Sequence, residues 1–372
     1  MHGKRTFLAV FLLLACLMAL LPAFAREESP EAEKLVSALT LHEKVCQMIV
    51  VTPEFFSGTE RVLIPDERLE DTFMAFPAGG VLITGRNIAT GEQVAALNKA
   101  YASLTTAPFV IVNEESAAAG TVSLKLSAEP LSGEITEPAE GWYAWAAKTA
   151  SELKQMNFTM DLAPVADLGL SALNEEMAGR CISDREGTVA AAAAQMIQGY
   201  TSGGIISAVK HFPGCGRADS PVSLTEVRIG AAGKKLYASD IMPFRMAVAA
   251  GVPCVMVSGA VYEALDPDHP ACFSPEIMQK LLRGELGFNG VIMTSVLDSP
   301  AFTDRYSAKE IVLAAVGAGA DMLLLPPKAQ KAAEYLEAAV LSGEISEERI
   351  NESVERILKL KLEYGLLERP ER

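Results

Sequence analysis

Lys210 to Pro221 read KHFPGCGRADSP, which sets a lysine, a histidine, a cysteine and an aspartate around two glycines. A lysine and an imidazole side by side can hold an oxygen-rich or carboxylate-bearing ligand, and an aspartate paired with a histidine can move a proton. Here Asp219 is followed by Ser220 and Pro221, neither of which shuttles a proton as a histidine would. Cys215 would serve as a nucleophile only if a cation such as His211 or Arg217 lowered its thiol, and no second feature of a cysteine hydrolase accompanies it.

Further polar residues follow apolar runs in the same way. Asn113, Glu114 and Glu115 end one run, Asp167 follows another, and Arg180 lies beyond it. Ser258 ends a later run, and Ser295 and Asp298 follow Val291 to Thr294. Residues placed like this need a scaffold that brings strand ends together. Eight short apolar runs supply candidate strands: 47–51, 80–84, 109–113, 158–163, 205–210, 252–258, 291–294 and 321–325. They are almost continuously apolar, as strands buried on both faces are. Amphipathic stretches alternate with them, among them 91–104, 140–155, 189–200 and 308–318. The alternation predicts an α/β fold, a (β/α)8 barrel forming a single domain over 26–372. An open doubly wound sheet is the rival, and no glycine-rich phosphate fingerprint follows the first strand. A final helix is expected with Ser346 as cap and Ile350, Val354, Ile357 and Leu358 on its apolar face. Trp142 and Trp145 are read as packing in the outer helix layer.

The chain has 372 residues, 50% of them hydrophobic and 21% charged, enough for a large packed core. Residues 1–25 stand apart. Lys4 and Arg5 precede the apolar run Phe7–Leu21, and Ala23-Phe24-Ala25 has the small-x-small pattern of a cleavage site. This is the pattern of a secretory signal peptide, so the mature protein is expected in the periplasm or outside the cell, with no stable membrane anchor. The formal charge of −15 argues against nucleic acid and anionic lipid as partners. Cys46, Cys181, Cys215, Cys254 and Cys272 are scattered and show no C-x-x-C spacing, which reads as buried free thiols rather than a metal site.

The ordered segments LTLHEKVCQMIV (39–50), GGVLITGRNI (79–88), DLAPVADLGLSALN (161–174), KHFPG (210–214), PFRMAVAAGVPCVMVS (243–258), LLRGELGFNGVIMT (281–294) and AGADMLLLP (318–326) carry a resemblance. The chain resembles the barrel domain of glycoside hydrolase family 3, in particular its bacterial β-N-acetylglucosaminidase (β-N-acetylhexosaminidase) branch. The resemblance implies that Arg180, Lys210 and His211 bind the sugar. The branch's Asp-Gln-Glu-Gly-Gly falls on Asn113-Glu114-Glu115-Ser116-Ala117, so an amide replaces a sugar-binding aspartate. Its Asp-Ser-His acid/base motif falls on Asp219-Ser220-Pro221, leaving the aspartate without the histidine. The nucleophilic aspartate falls on Ser295, and a histidine after the sixth strand falls on Gly259.

A retaining glycosidase needs a carboxylate that forms and releases a glycosyl ester, and a serine hydroxyl offers no charge to the oxocarbenium-like transition state. A missing acid/base removes a further factor of about 10²–10⁴. The expectation is an exported protein that binds an N-acetylglucosamine-containing glycan, needs no cofactor, and hydrolyses weakly or not at all. Two rivals stand beside it. One is an active glycosidase with relocated carboxylates, Asp298 standing in as base and Asp219 or Glu115 as acid. The other is a non-enzymatic interaction scaffold. Asp298 also has a plainer role open to it, capping the helix that follows.

Overall fold

The computed structural model describes residues 29–115, 119–126 and 141–369, so the expected signal peptide and Glu140 lie outside the described residues. Among the described residues eleven strands are present: β1 (Ile49–Val51), β2 (Gly80–Leu82), β3 (Phe109–Val112), β4 (Met160–Asp161), β5 (Ile206–Phe212), β6 (Arg228–Ile229), β7 (Cys254–Val257), β8 (Val261–Tyr262), β9 (Asp266–Pro270), β10 (Val291–Thr294) and β11 (Leu323–Leu324).

Eight of them form one parallel sheet in the order β10-β7-β5-β4-β3-β2-β1-β11. A parallel bridge between Met293 and Met322 joins its two ends, so the sheet closes as a (β/α)8 barrel. Seven of the eight barrel strands fall within the apolar runs of the sequence, and β5 runs two residues past its own, through His211 and Phe212. β1, β2, β3, β7 and β10 are buried at every residue, as the unbroken apolar runs require, because helices cover the outside and side chains fill the inside.

The helices also lie where periodicity places them, at Gly91–Ala102, Gly141–Gln155, Glu186–Ser202 and Ala308–Ala318. Ser307 and Ser346 accept hydrogen bonds from Glu310 N and Arg349 N, closing the exposed N–H groups of their helices. The C-terminal helix, Glu347–Glu363, buries Ile350, Val354, Ile357 and Leu358. Trp145 is buried in the Gly141–Gln155 helix, and Trp142 packs partly buried against the core.

A second, three-stranded sheet of β6, β8 and β9 stands outside the expectation. Two of its strands have only two residues, and β9 reads Asp-Pro-Asp-His-Pro, residue types depleted in strands. Strand propensity therefore gave no sign of it. The backbone pairing of Val261 with Arg228 and Pro270 holds the loops after β5 and β7 together.

Candidate functional site

The C-terminal ends of the barrel strands surround a cavity of about 270 Å³. Every barrel strand except the first contributes to its wall, either directly or through the loop that follows it. The polar lining is Asn113, Glu176, Arg180, Lys210, His211, Ser223, Ser258, Ser295 and Ser299. Leu82, Leu162, Met177, Val222, Met256, Val296 and Leu324 make up much of the rest.

Glu115 organises the cationic side of this mouth. Its carboxylate is 3% exposed and accepts two bonds from Arg180, Nε to Oε2 at 2.6 Å and Nη2 to Oε1 at 2.7 Å. Lys210 Nζ lies 2.5 Å from Glu115 Oε1 and also donates to Asn113 Oδ1. Burial alone would raise the Glu115 carboxyl, but the Lys210 ammonium and the Arg180 guanidinium outweigh it and hold the group at about 2. Burial lowers the Lys210 ammonium, with Glu115 opposing the shift. Arg180 and Lys210, 30 residues apart in the sequence and in no shared local motif, thus meet on one carboxylate.

His211 has a separate partner. Its Nδ1 lies 2.6 Å from Asp167 Oδ2, and its backbone N–H donates to the same oxygen at 3.1 Å. Asp167 Oδ1 accepts from Cys215 N at 2.7 Å. Burial raises this fully buried carboxyl, and His211, the Cys215 N–H and Arg180 together more than offset it, so the group stays below its ordinary value. With Nδ1–H committed to Asp167, Nε2 is the free acceptor, and it sits 3.5 Å from Arg180 Nη2.

Two glycines let the β5 loop close over this pair. A Cβ at Gly216 would stand 1.7 Å from the Leu168 carbonyl oxygen. Gly214 has φ of 117°, which L side chains rarely adopt. The loop therefore lies flat against the one after β4, and Asp219 turns outward, exposed, accepting from Ser171 Oγ at 2.7 Å. Pro221 is partly buried, and its neighbours Val222 and Ser223 reach the cavity while Asp219 and Pro221 do not line it.

Ser295 does line the cavity, its hydroxyl buried and without a hydrogen-bond partner among the described residues. Asp298 is exposed and outside the lining, its backbone N–H donating to Leu325 O at 3.0 Å. The adjacent helix has Ser299, not Asp298, at its N-cap. A Cβ at Gly259 would meet Phe302 Cζ at 2.9 Å and Ser295 Oγ at 3.4 Å, so the cavity wall is closed there to a larger side chain.

Cys215 borders the cavity but is 2% exposed, and burial followed by the charge of Asp167 pushes its thiol well up. The loop arginine that would have to activate it, Arg217, is bound instead to Asp240 at 2.9 Å. The other neighbouring cation, His211, has its Nδ1 3.7 Å from the sulfur but committed to Asp167, so the free thiol makes a poor nucleophile. All five described cysteines are free.

Glu114 serves the scaffold. It accepts from Val122 N at 2.7 Å and from Ser123 Oγ, and its own N–H donates to Asp161 Oδ1 at 2.8 Å. One residue that strand-end reasoning passes over is Glu176, the sole carboxylate in the cavity lining among the described residues. Its Oε2 accepts from Ser223 N at 3.3 Å, and its backbone oxygen accepts from Arg180 Nη1 at 3.1 Å. The signal available for it was its position four residues before Arg180, one turn away in the same loop.

The family model described as "Glycosyl hydrolase family 3 N terminal domain" matches residues 40–360. A beta-hexosaminidase of Stenotrophomonas maltophilia (strain K279a) is 31% identical over 280 residues, covering 72% of this chain and 81% of that protein. The structure of a glycoside hydrolase family 3 beta-N-acetylglucosaminidase from Paenibacillus sp. str. FPU-7 superposes with a TM-score of 0.80 and 29% identity, over 88% of this chain. The chain spans 63% of that longer structure. The beta-N-acetylhexosaminidase from Beutenbergia cavernae DSM 12333 gives a TM-score of 0.74 at 26% identity, over 87% of this chain and 98% of the other. With the barrel, the ordered segments and the family match in agreement, the chain belongs to glycosyl hydrolase family 3.

Proposed function

We propose that this protein is an exported saccharide-binding member of the family whose cavity takes an N-acetylglucosamine-containing glycan and whose hydrolytic activity is weak or lost. One observation carries the reading: among the described residues, a cavity rich in donors presents a single carboxylate, Glu176. Arg180, Lys210 and His211 line the wall with Asn113, and this set suits sugar hydroxyls or an amide carbonyl. Hydrolysis needs a carboxylate and a proton donor flanking the bond, the donor being a second carboxyl about 5 Å away for retention or roughly 6.5–9.5 Å for inversion, or the histidine that the resemblance expects where Pro221 stands. Ser295 stands where the resemblance puts the nucleophile, and Asp219 and Asp298 face away from the cavity.

Export rests on the Lys4–Ala25 pattern and is tested by the mass of the mature N-terminus recovered from a periplasmic fraction. Activity is tested with a chromogenic N-acetylglucosaminide and binding by calorimetry with chitooligosaccharides. The expected result is saturable binding, lost in Lys210→Ala, with no turnover at glycosidase rates. Turnover at ordinary rates, unchanged in Ser295→Ala, overturns the assignment. Were Glu176→Gln to abolish such turnover, the relocated-carboxylate enzyme would be the right reading, with Glu176 rather than Asp298, Asp219 or Glu115 as its essential carboxylate. No saccharide binding in the wild type would leave the interaction scaffold.

A further inference from the structure

Beneath the cavity wall, Asp167, His211 and Cys215 bring three different ligand atoms together, all within 4.8 Å of one another. Cys215 Sγ is 3.7 Å from His211 Nδ1, which is 2.6 Å from Asp167 Oδ2. We propose that Asp167, His211 and Cys215 form a binding site for one zinc-type divalent cation, with Oδ2, Nδ1 and Sγ as protein ligands.

Three arguments carry this. The first is geometric. Zinc bonds of about 2.0–2.3 Å in a tetrahedral arrangement put ligand atoms roughly 3.3–3.6 Å apart. The Sγ–Nδ1 separation of 3.7 Å is close to this, the Asp167–His211 pair must open by roughly 0.7 Å as its hydrogen bond gives way to the metal, and the third pair lies within 4.8 Å. The second is the ligand set. A carboxylate, an imidazole and a thiolate suit a borderline-soft cation such as zinc and disfavour calcium or magnesium, which take oxygen. The third is charge. A dication with one carboxylate, one thiolate and a neutral imidazole is electrically neutral, the state a buried site tolerates best. Cys215 N–H on Asp167 Oδ1 fixes the carboxylate from behind, an outer contact of the kind that orients ligands. His211 and Cys215 both border the cavity, which offers the cation a route and a water for its fourth position.

The protons balance simply. The thiol loses its proton to solvent, and the proton on Nδ1 moves to Nε2 as the metal takes its place. Binding thus releases one proton per cation from the neutral-imidazole form. It also converts the cavity-facing nitrogen of His211 from acceptor to donor, so an occupied site would alter saccharide binding. The cation site does not depend on the glycan reading. A protein that binds metal but no sugar supports it all the same.

The test uses the full purified chain, stripped with a chelator and titrated with Co²⁺. The expected result is one equivalent bound, with a thiolate-to-cobalt charge-transfer band and the strong visible bands of a tetrahedral site, bleached by added Zn²⁺. Cys215→Ser abolishes the charge-transfer band and weakens Zn²⁺ affinity at least tenfold, while Cys272→Ser leaves both unchanged. Calorimetry of Zn²⁺ binding in buffers of differing ionisation enthalpy reads about one proton released. Thermal melts establish that both variants are folded. Absence of the band in the wild type, or its survival in folded Cys215→Ser, overturns the site.

Discussion

Two buried cations share one carboxylate at the mouth of this barrel, and that sharing decides what Arg180 and Lys210 can offer a ligand. Glu115 takes both nitrogens of the Arg180 fork that face it, leaving the edge near His211 and the cavity as the part open to a guest. Glu115→Gln leaves an ammonium and a guanidinium buried without their counter-charge, so a loss of about 3–5 kcal/mol is expected in urea unfolding at neutral pH. The same group sets a pH dependence. Its folded-state value is about 2 against a reference of 4.5. A depressed carboxyl contributes stability that is complete above the reference value and is lost as pH falls through the folded one. Of order 3 kcal/mol should therefore disappear between about pH 5 and pH 2, and Glu115→Gln should show a flatter acid limb in the same assay. Sequence reasoning singled out Glu115 as a strand-end acid, but its service as counter-ion to two residues far along the chain is a contact that spacing does not encode. Glu176 and Asp298 make the complementary case. Both sit in loops after strands, and only the turn of each loop decides that Glu176 borders the cavity and Asp298 meets solvent.

At the scale of elements, strands and helices were legible because burial on both faces writes an unbroken apolar run and burial on one writes a 3.6-residue stripe. The short β6–β8–β9 sheet left no such trace, since its stability comes from pairing between loops rather than from its own composition. The C-terminal helix adds something its apolar stripe did not announce. It carries Lys361 into the core with no exposure, where its Nζ donates to Gln47 Oε1 at 2.7 Å and Thr106 O at 2.8 Å and lies over the Phe109 ring. Burial lowers this ammonium to about 7 from 10.5. Between those values the unfolded chain holds more protons than the folded one, so stability should rise as pH increases from about 7 towards 10.5. Lys361→Met, a near-isosteric apolar replacement, should remove that slope in denaturant melts across the window; an unchanged slope would assign it to another group.

For the molecule as a whole, a formal charge of −15 opposes any polyanion, and the cationic residues of the mouth are neutralised from within by Glu115 and Asp167. The protein should show no salt-dependent retention of duplex DNA or of anionic vesicles in gel-shift and sedimentation assays at 50 mM salt, where about half a dozen phosphate contacts would be readily detected. Among the described residues no helix is long and apolar enough to cross a membrane. Composition and periodicity alone predicted an α/β barrel, and the general rule that such barrels carry their sites at the strand ends then grouped Arg180, Lys210 and His211 at one mouth. Those properties follow from local rules, because each run of residues must bury its own apolar face wherever the rest of the chain goes. Tertiary structure alone decided which acids reach the cavity, which cation each acid neutralises, and that Cys215 lies against a buried Asp–His pair. Such pairings join positions tens of residues apart through loop conformations, and no local pattern constrains them.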